Sequence, residues 1–379
     1  MQSPVCAMFG IEFPLFAFTH CRDVVAAVSK AGGMGVLGAA NMSPETFREE
    51  LDWIADHVDG KPFGVDIIVP NKIEGKDEAF DGDKLLAAVP DAHKSFANDL
   101  LKSYDIEPGD IETTRKKALT SSRNLRADGA ATTLDIAFQY PISLIVNALG
   151  VPPPIMLDMA KQHGVKTGAL VGAREHAVAQ VNAGVDMLIV AGGEAGGHCG
   201  DVSTLVLIPE VARALKQMGS DTPILAAGGI TTGEQMAAAM AMGAAGAWCG
   251  SVWLTTAEAE TNPIVKEKML KASSRDTVRS KSRTGKFSRQ LRSAWTDAWE
   301  GEGAPTPLPM PLQSLVSEPA LAKVDKMSQQ GHAGAQALAT YWVGQGVGLM
   351  THSISAGQVV QDFKTEFLDA VERLNANLG

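Results

Sequence analysis

The sequence predicts an α/β protein built as a closed (β/α)8 barrel. Three observations predict it: eight strand-length apolar runs, helical patterns between them, and glycine pairs directly behind the later runs. The runs are residues 13–18, 35–38, 63–69, 142–148, 165–171, 187–190, 224–227 and 246–249. Fully buried parallel strands read as continuous apolar stretches rather than alternating ones. Open doubly wound sheets usually have five or six strands, so eight favours closure into a barrel.

The helices carry their own start and stop signals. Ser43 and Pro44 open a helix at 44–57 as N-cap and first-turn proline. Further helices are predicted at 23–30, 154–163, 174–183, 209–218 and 233–242. Gly164, Gly184, Gly219 and Gly243 end four of them, as glycine accepts the left-handed conformation beyond a helix C-terminus. Residues 71–140 form a helical insertion after the third strand, with helices over 84–102 and 111–119. Residues 273–328 form a second excursion. Its prolines at 305, 307, 309 and 311 cannot lie in a helix interior or a central strand. Residues 333–378 form a helical C-terminal extension that returns to the barrel. All 379 residues thus make one barrel domain, with both excursions covering the active-site region.

The net charge of -10 argues against a nucleic-acid partner. No apolar run reaches 18 residues, so no membrane span is expected. The first residues lack the basic and apolar regions of a signal peptide. Cys6, Cys21, Cys199 and Cys249 are far apart with no CxxC pair, which reads as free thiols in a reducing cytoplasm and as no metal site.

The 38 glycines cluster after strands. Gly192-Gly193-Glu194-Ala195-Gly196-Gly197-His198 follows the sixth run, Gly228-Gly229 the seventh and Gly250-Ser251 the eighth. Strand C-terminal ends build barrel active sites, and the loops after strands seven and eight commonly hold phosphate. Bare backbone lets phosphate oxygens reach N–H groups, and the helix starting near Thr232 is expected to aim its positive end there. No GxGxxG joins a strand to a helix with an acid about twenty residues on, so FMN fits better than a Rossmann-bound dinucleotide.

His198 is the catalytic candidate, because an imidazole can move a proton at a carbon beside an electron-withdrawing group. Glu194 could serve as a general acid or base, but is expected rather to anchor the loop through backbone N–H groups. His20, after the first strand, either touches substrate or flavin or holds a loop. Asp66 lies in an apolar strand and must be hydrogen-bonded, to a flavin edge or to neighbouring backbone. Residues 266–292 hold ten Lys or Arg against two acids. They form either a solvated helical face or a landing site for an acidic or phosphorylated partner.

The segment from Gly193 to His198 resembles the EAGGH motif of the nitronate monooxygenase family, formerly the 2-nitropropane dioxygenases. Residues 224–230, with Gly233, Gly243-Ala244 and Gly250-Ser251, resemble that family's FMN phosphate motif. Residues 26–35, Asn262-Pro263 and 344–348 match as well. The resemblance implies a TIM barrel with non-covalent FMN and dioxygen as oxidant. His198 would take a proton from the carbon beside a nitro group. Gly228, Gly229, Gly250 and Ser251 would hold the phosphate, Ala195 and Gly196 would line the flavin, and Ala17 and Phe18 would flank it. The family's first-strand Gln-(Ala/Gly)-Pro-Met is replaced here by Phe16-Ala17-Phe18-Thr19, its Asn by Asp66, the Gln before the glycine loop by Ala191, and the Arg after GGH by Cys199. These departures line the substrate side. Two alternatives therefore stand beside oxidation of an alkyl nitronate: an NAD(P)H-dependent reductase of an enoyl thioester, enone or quinone, as in the similar enoyl-acyl-carrier-protein reductases, and a non-catalytic flavin-binding protein.

Overall fold

Side-chain alternation along β1 (Leu15–Thr19) sets the architecture. Phe16 and Phe18 turn into a central lumen, while Leu15 and Ala17 turn outward under the helices. The computed structural model describes residues 1–40, 42–69, 82–109 and 127–378. Seven further parallel strands repeat the pattern: β2 (Met34–Gly38), β3 (Phe63–Ile67), β4 (Leu144–Asn147), β5 (Lys166–Val171), β6 (Met187–Ala191), β8 (Ile224–Ala227) and β9 (Gly246–Cys249). β9 pairs back onto β1 and closes the barrel. β7 (Gly197–His198) lies outside it.

Phe16, Met34, Val36, Leu144, Val146, Ile189, Leu225 and Trp248 fill the lumen. The short helix Pro4–Phe9 plugs its lower end, with Phe9 edge-on to Phe16 at 5.6 Å. The extension does return to the barrel. Helix Ala356–Ala376 buries Val360, Phe363 and Phe367 in the outer layer. It approaches so closely that a Cβ on Gly233 would stand 2.1 Å from the Phe363 carbonyl oxygen.

The two excursions are not separate. Helices Asp91–Lys102, Pro263–Lys271, Leu312–Gln329 and Ala333–Leu338 share one apolar core around Trp295 and Trp299. This cap joins the barrel through a small antiparallel sheet, ordered β10 (Thr277–Ser280), β11 (Ser288–Leu291), β7. The helix predicted over 84–102 is split into Gly82–Ala87 and Asp91–Lys102 at Pro90, which lacks the N–H a continuous helix needs. The helix predicted at 111–119 falls outside the described residues.

One helix starts earlier than its sequence indicates. Thr204–Gln217 contains Pro209 in its interior, where the expected start was Pro209 itself. The Glu194 carboxylate accepts the Thr204 N–H at 2.8 Å, so a partner remote in sequence sets the start. Among the described residues, no helix is long and apolar enough to cross a membrane.

Candidate active site at the barrel mouth

The strand C-terminal ends gather the glycine turns at one mouth. Glu194 anchors the loop after β6: its Oε2 accepts from Thr204 N–H at 2.8 Å and from Thr204 Oγ1 at 2.9 Å. From the cap side, Arg289 donates through Nε and Nη2 to the Gly193 carbonyl at 3.0 and 2.8 Å. At the loop's end His198 sits in β7, in register with Ser288 of β11. Its Nε2 lies 2.8 Å from Thr284 Oγ1, and Nδ1 has no partner among the described residues. His198 is exposed as a residue, while its Nε2 contact is part-buried. Dehydration of the ring, reinforced by Lys286, holds its pKa below the ordinary histidine value. A neutral imidazole with an unoccupied nitrogen is a proton acceptor.

Gly228 and Gly229 have φ of 102° and 74°, a region that residues with a Cβ rarely enter. A Cβ on Gly229 would also stand 3.0 Å from the Glu194 Cβ. Gln235 clamps this turn: its Nε2 donates to the Gly229 carbonyl at 2.9 Å, and its Oε1 accepts the Thr231 N–H at 2.8 Å. The segment 344–346 closes over it. The Gly344 N–H donates to Ser251 Oγ at 2.8 Å, and the Gln345 N–H donates to the Glu194 carbonyl at 2.9 Å. The N–H groups of Gly229 and Ser251 donate to none of the described residues. Free backbone donors on turns without side chains suit phosphate oxygens.

Two amides of the expected helix terminus are already taken. In helix Gly233–Ala241, Glu366 takes the Gly233 N–H at 2.7 Å and Thr232 takes the Gln235 N–H at 3.3 Å.

Asp66 projects into the lumen from β3, in register with Gly38 of β2 and Val146 of β4. It is 3% exposed, and its Oδ1 finds no hydrogen-bond partner. Burial pushes its carboxyl well above the usual carboxylate range, which favours the protonated form, a potential donor. The backbone bond allowed for it on sequence grounds is missing at Oδ1. Phe18 stacks on Trp248 at 6.0 Å and meets His20 edge-on at 5.2 Å. His20 Nδ1 lies 2.7 Å from the Gly38 carbonyl, so backbone holds this ring. Ala17 turns its side chain into the outer layer, away from the lumen. Gly196 and its neighbour Ala195 lie where a Cβ on Gly196 would be 2.8 Å from the Gly344 nitrogen. Gly250 borders Phe18, whose Cδ1 would lie 3.6 Å from a Cβ there. An orphaned buried acid, an aromatic floor and free amides on glycine turns together fit a flat phosphorylated group such as FMN.

The residues that sequence reading missed come from the cap: Thr284 and Arg289. Their signal was present as alternating residues on either side of Thr284-Gly285, a hairpin pattern. The basic stretch proves to be a helix followed by this hairpin, with most of its charge spent internally. Lys266 and Lys268 donate to backbone carbonyls, and Lys271, Arg279, Arg283 and Arg292 pair with acids. Arg275, Lys281 and Lys286 form no ion pair among the described residues. Lys281 and Arg279 lie over the exposed Phe287 ring, at 4.7 and 4.3 Å from its centroid.

The model of the family described as nitronate monooxygenase matches residues 2–366. A Mycobacterium tuberculosis protein, named only as a monooxygenase with no substrate, is 48% identical over 376 residues, which covers 99% of this chain and 98% of that protein. A solved nitroalkane oxidase from Streptomyces ansochromogenes has a TM-score of 0.77 at 25% identity, covering 98% of this chain and 99% of its own. FabK from Thermotoga maritima has a TM-score of 0.70 at 25% identity, covering 100% and 99%. The barrel, its glycine-built mouth and a family match along nearly the whole chain lead to one conclusion: this protein is an oxidoreductase that belongs to the nitronate monooxygenase family.

Proposed function

We propose that the protein binds FMN at the barrel mouth and oxidises an alkyl nitronate with dioxygen, with His198 as the base that forms the nitronate. The observation that carries this is His198 itself: a ring with a depressed pKa and a bare Nδ1, on a loop beside a phosphate-ready cradle. Gly229, Ser251 and their neighbours Gly228 and Gly250 would hold the phosphate, and Asp66 would donate to the ring edge. When bound, FMN supplies an electron acceptor that this chain's side chains lack.

The chain's own part is proton transfer. His198 takes the proton from the carbon beside the nitro group, and the C–H electron pair moves onto the nitro oxygens as the nitronate. Because burial and Lys286 depress its pKa, the imidazole stays neutral and able to accept at pH 7. Arg289 and Glu194 fix the loop that delivers it. The test is oxygen consumption by the purified flavoprotein. A preformed nitronate should be consumed by both wild type and His198→Ala. The parent nitroalkane should be consumed by wild type and about 10²- to 10⁴-fold more slowly by the variant. Equal rates with the nitroalkane overturn the role of His198, and no oxygen uptake with either compound overturns the reaction.

A second reading keeps NAD(P)H as reductant and an enone, quinone or enoyl thioester as substrate. Phe287 favours it, since an exposed ring flanked by Arg279 and Lys281 could take a nucleotide or an acidic, phosphorylated group. Anaerobic bleaching of the flavin by NADPH supports this reading, and a flavin that stays oxidised removes it.

A further inference from the structure

His198 belongs to the barrel, but its hydrogen-bond partner belongs to the cap. Thr284 occupies the turn between β10 and β11 and is buried. The turn is held at three points by one helix, Leu312–Gln329. Arg283 makes a two-point pair with Glu318 of helix Leu312–Gln329, at 2.7 and 3.1 Å. The Ser317 hydroxyl donates to the Arg283 carbonyl. Gln313 Nε2 donates to the Ser282 carbonyl at 2.8 Å. The Thr284 hydroxyl is therefore a fixed point, and the Ser288–His198 register brings the imidazole to it.

A hydroxyl carries one proton, and its neighbours decide where that proton points. Thr284 Oγ1 lies 3.3 Å from the Lys286 carbonyl, which can only accept, and receives the Lys286 N–H at 3.4 Å, which can only donate. It lies 2.8 Å from His198 Nε2, which accepts or donates according to tautomer. With the hydroxyl proton on the Lys286 carbonyl, Thr284 oxygen receives Nε2–H, and the ring's bare lone pair sits on Nδ1. In the opposite arrangement the hydroxyl feeds Nε2, Nδ1 carries the hydrogen, and no nitrogen facing away from the cap can take a proton.

We propose that Thr284 is a positioning residue that holds His198 in the Nε2–H tautomer and so makes Nδ1 the nitrogen that accepts the substrate proton. This rests on His198 acting as a base in the reaction above. The partner is also neutral. A carboxylate in that place would attract the proton and raise the histidine pKa, whereas a hydroxyl orients the ring and leaves it a base. The charges around the ring act with this arrangement. Lys286 disfavours imidazolium, and the Arg283 charge is matched by Glu318.

The test pairs Thr284→Val, which keeps the shape and removes the hydroxyl, with Thr284→Ser, which restores it. Nitrogen NMR of the ¹⁵N-histidine-labelled holoenzyme reads the tautomer without substrate, so it stands whether or not nitronate chemistry is correct. The wild type and Thr284→Ser should show His198 protonated on Nε2, and Thr284→Val a mixture of tautomers. With nitroalkane, Thr284→Val should lose about tenfold in kcat, with KM and flavin content little changed, and Thr284→Ser should recover most of the rate. A wild-type His198 protonated on Nδ1, or a Thr284→Val enzyme with unchanged tautomer and kcat, overturns the proposal. If the tautomer shifts but neither compound is turned over by any form, the proton-transfer role falls together with the nitronate reading.

Discussion

Arg289 and Gly193 tie the cap to the barrel: two guanidinium nitrogens on β11 converge on one carbonyl oxygen of the glycine loop after β6, at 3.0 and 2.8 Å. The same guanidinium also reaches Thr277 Oγ1 on β10 at 3.2 Å. One side chain therefore spans both strands of the cap hairpin and the loop that carries His198. A planar fork does this and a single ammonium cannot.

Arg289→Lys should accordingly keep the charge and lose the fork. We expect kcat with nitroalkane to fall by about tenfold and thermal stability by about 1.5–3 kcal/mol, the range for a hydrogen bond to a charged group. Thermal melts and steady-state kinetics on the same preparation check both. A lysine variant with wild-type kinetics shows that the loop is held without the fork.

Gly229 gives a prediction about the cofactor. Its φ of 74° and the Glu194 Cβ at 3.0 Å leave no room for a branched side chain. The turn should open in Gly229→Val, and its free amide should leave the cradle. The barrel strands on either side remain intact, because the glycine lies beyond the end of β8. We expect a folded protein by far-ultraviolet circular dichroism that purifies with little yellow colour. Retention of full flavin absorbance would falsify the phosphate assignment to this turn.

The barrel was legible in the sequence because its strands and turns depend on local patterns. All eight barrel strands overlap the apolar runs, and β8 and β9 match them end to end. The Gly228-Gly229 pair marks a turn that the structure builds with positive φ at both residues. What was not legible depends on partners remote in sequence. Glu194 starts a helix ten residues on and thereby places Pro209 in its interior. Glu366 caps a helix 133 residues before it. The insertion and the excursion share one core although barrel strands separate them in the chain. The ten basic residues from 266 to 292 looked like one surface, but composition cannot tell a charge facing water from one facing a carbonyl.

Asp66 gives the pH prediction. Its carboxyl is buried in the lumen, and desolvation alone raises its pKa well above the ordinary value. Below the unfolded pKa of about 4, both folded and unfolded chains hold the proton, and the residue adds no pH dependence. As pH rises past that point the unfolded chain releases the proton while the folded one keeps it, so stability falls with rising pH until the folded pKa is passed. Asp66→Asn keeps the shape and removes the titration. The variant should therefore melt close to wild type near pH 4 and progressively above it as pH approaches 7, when both are compared free of flavin. Parallel melting curves across that range show that Asp66 ionises normally in the lumen. With flavin present the comparison carries a second consequence. The asparagine amide can still donate where the neutral acid would, so flavin content should be retained in Asp66→Asn and reduced in Asp66→Leu.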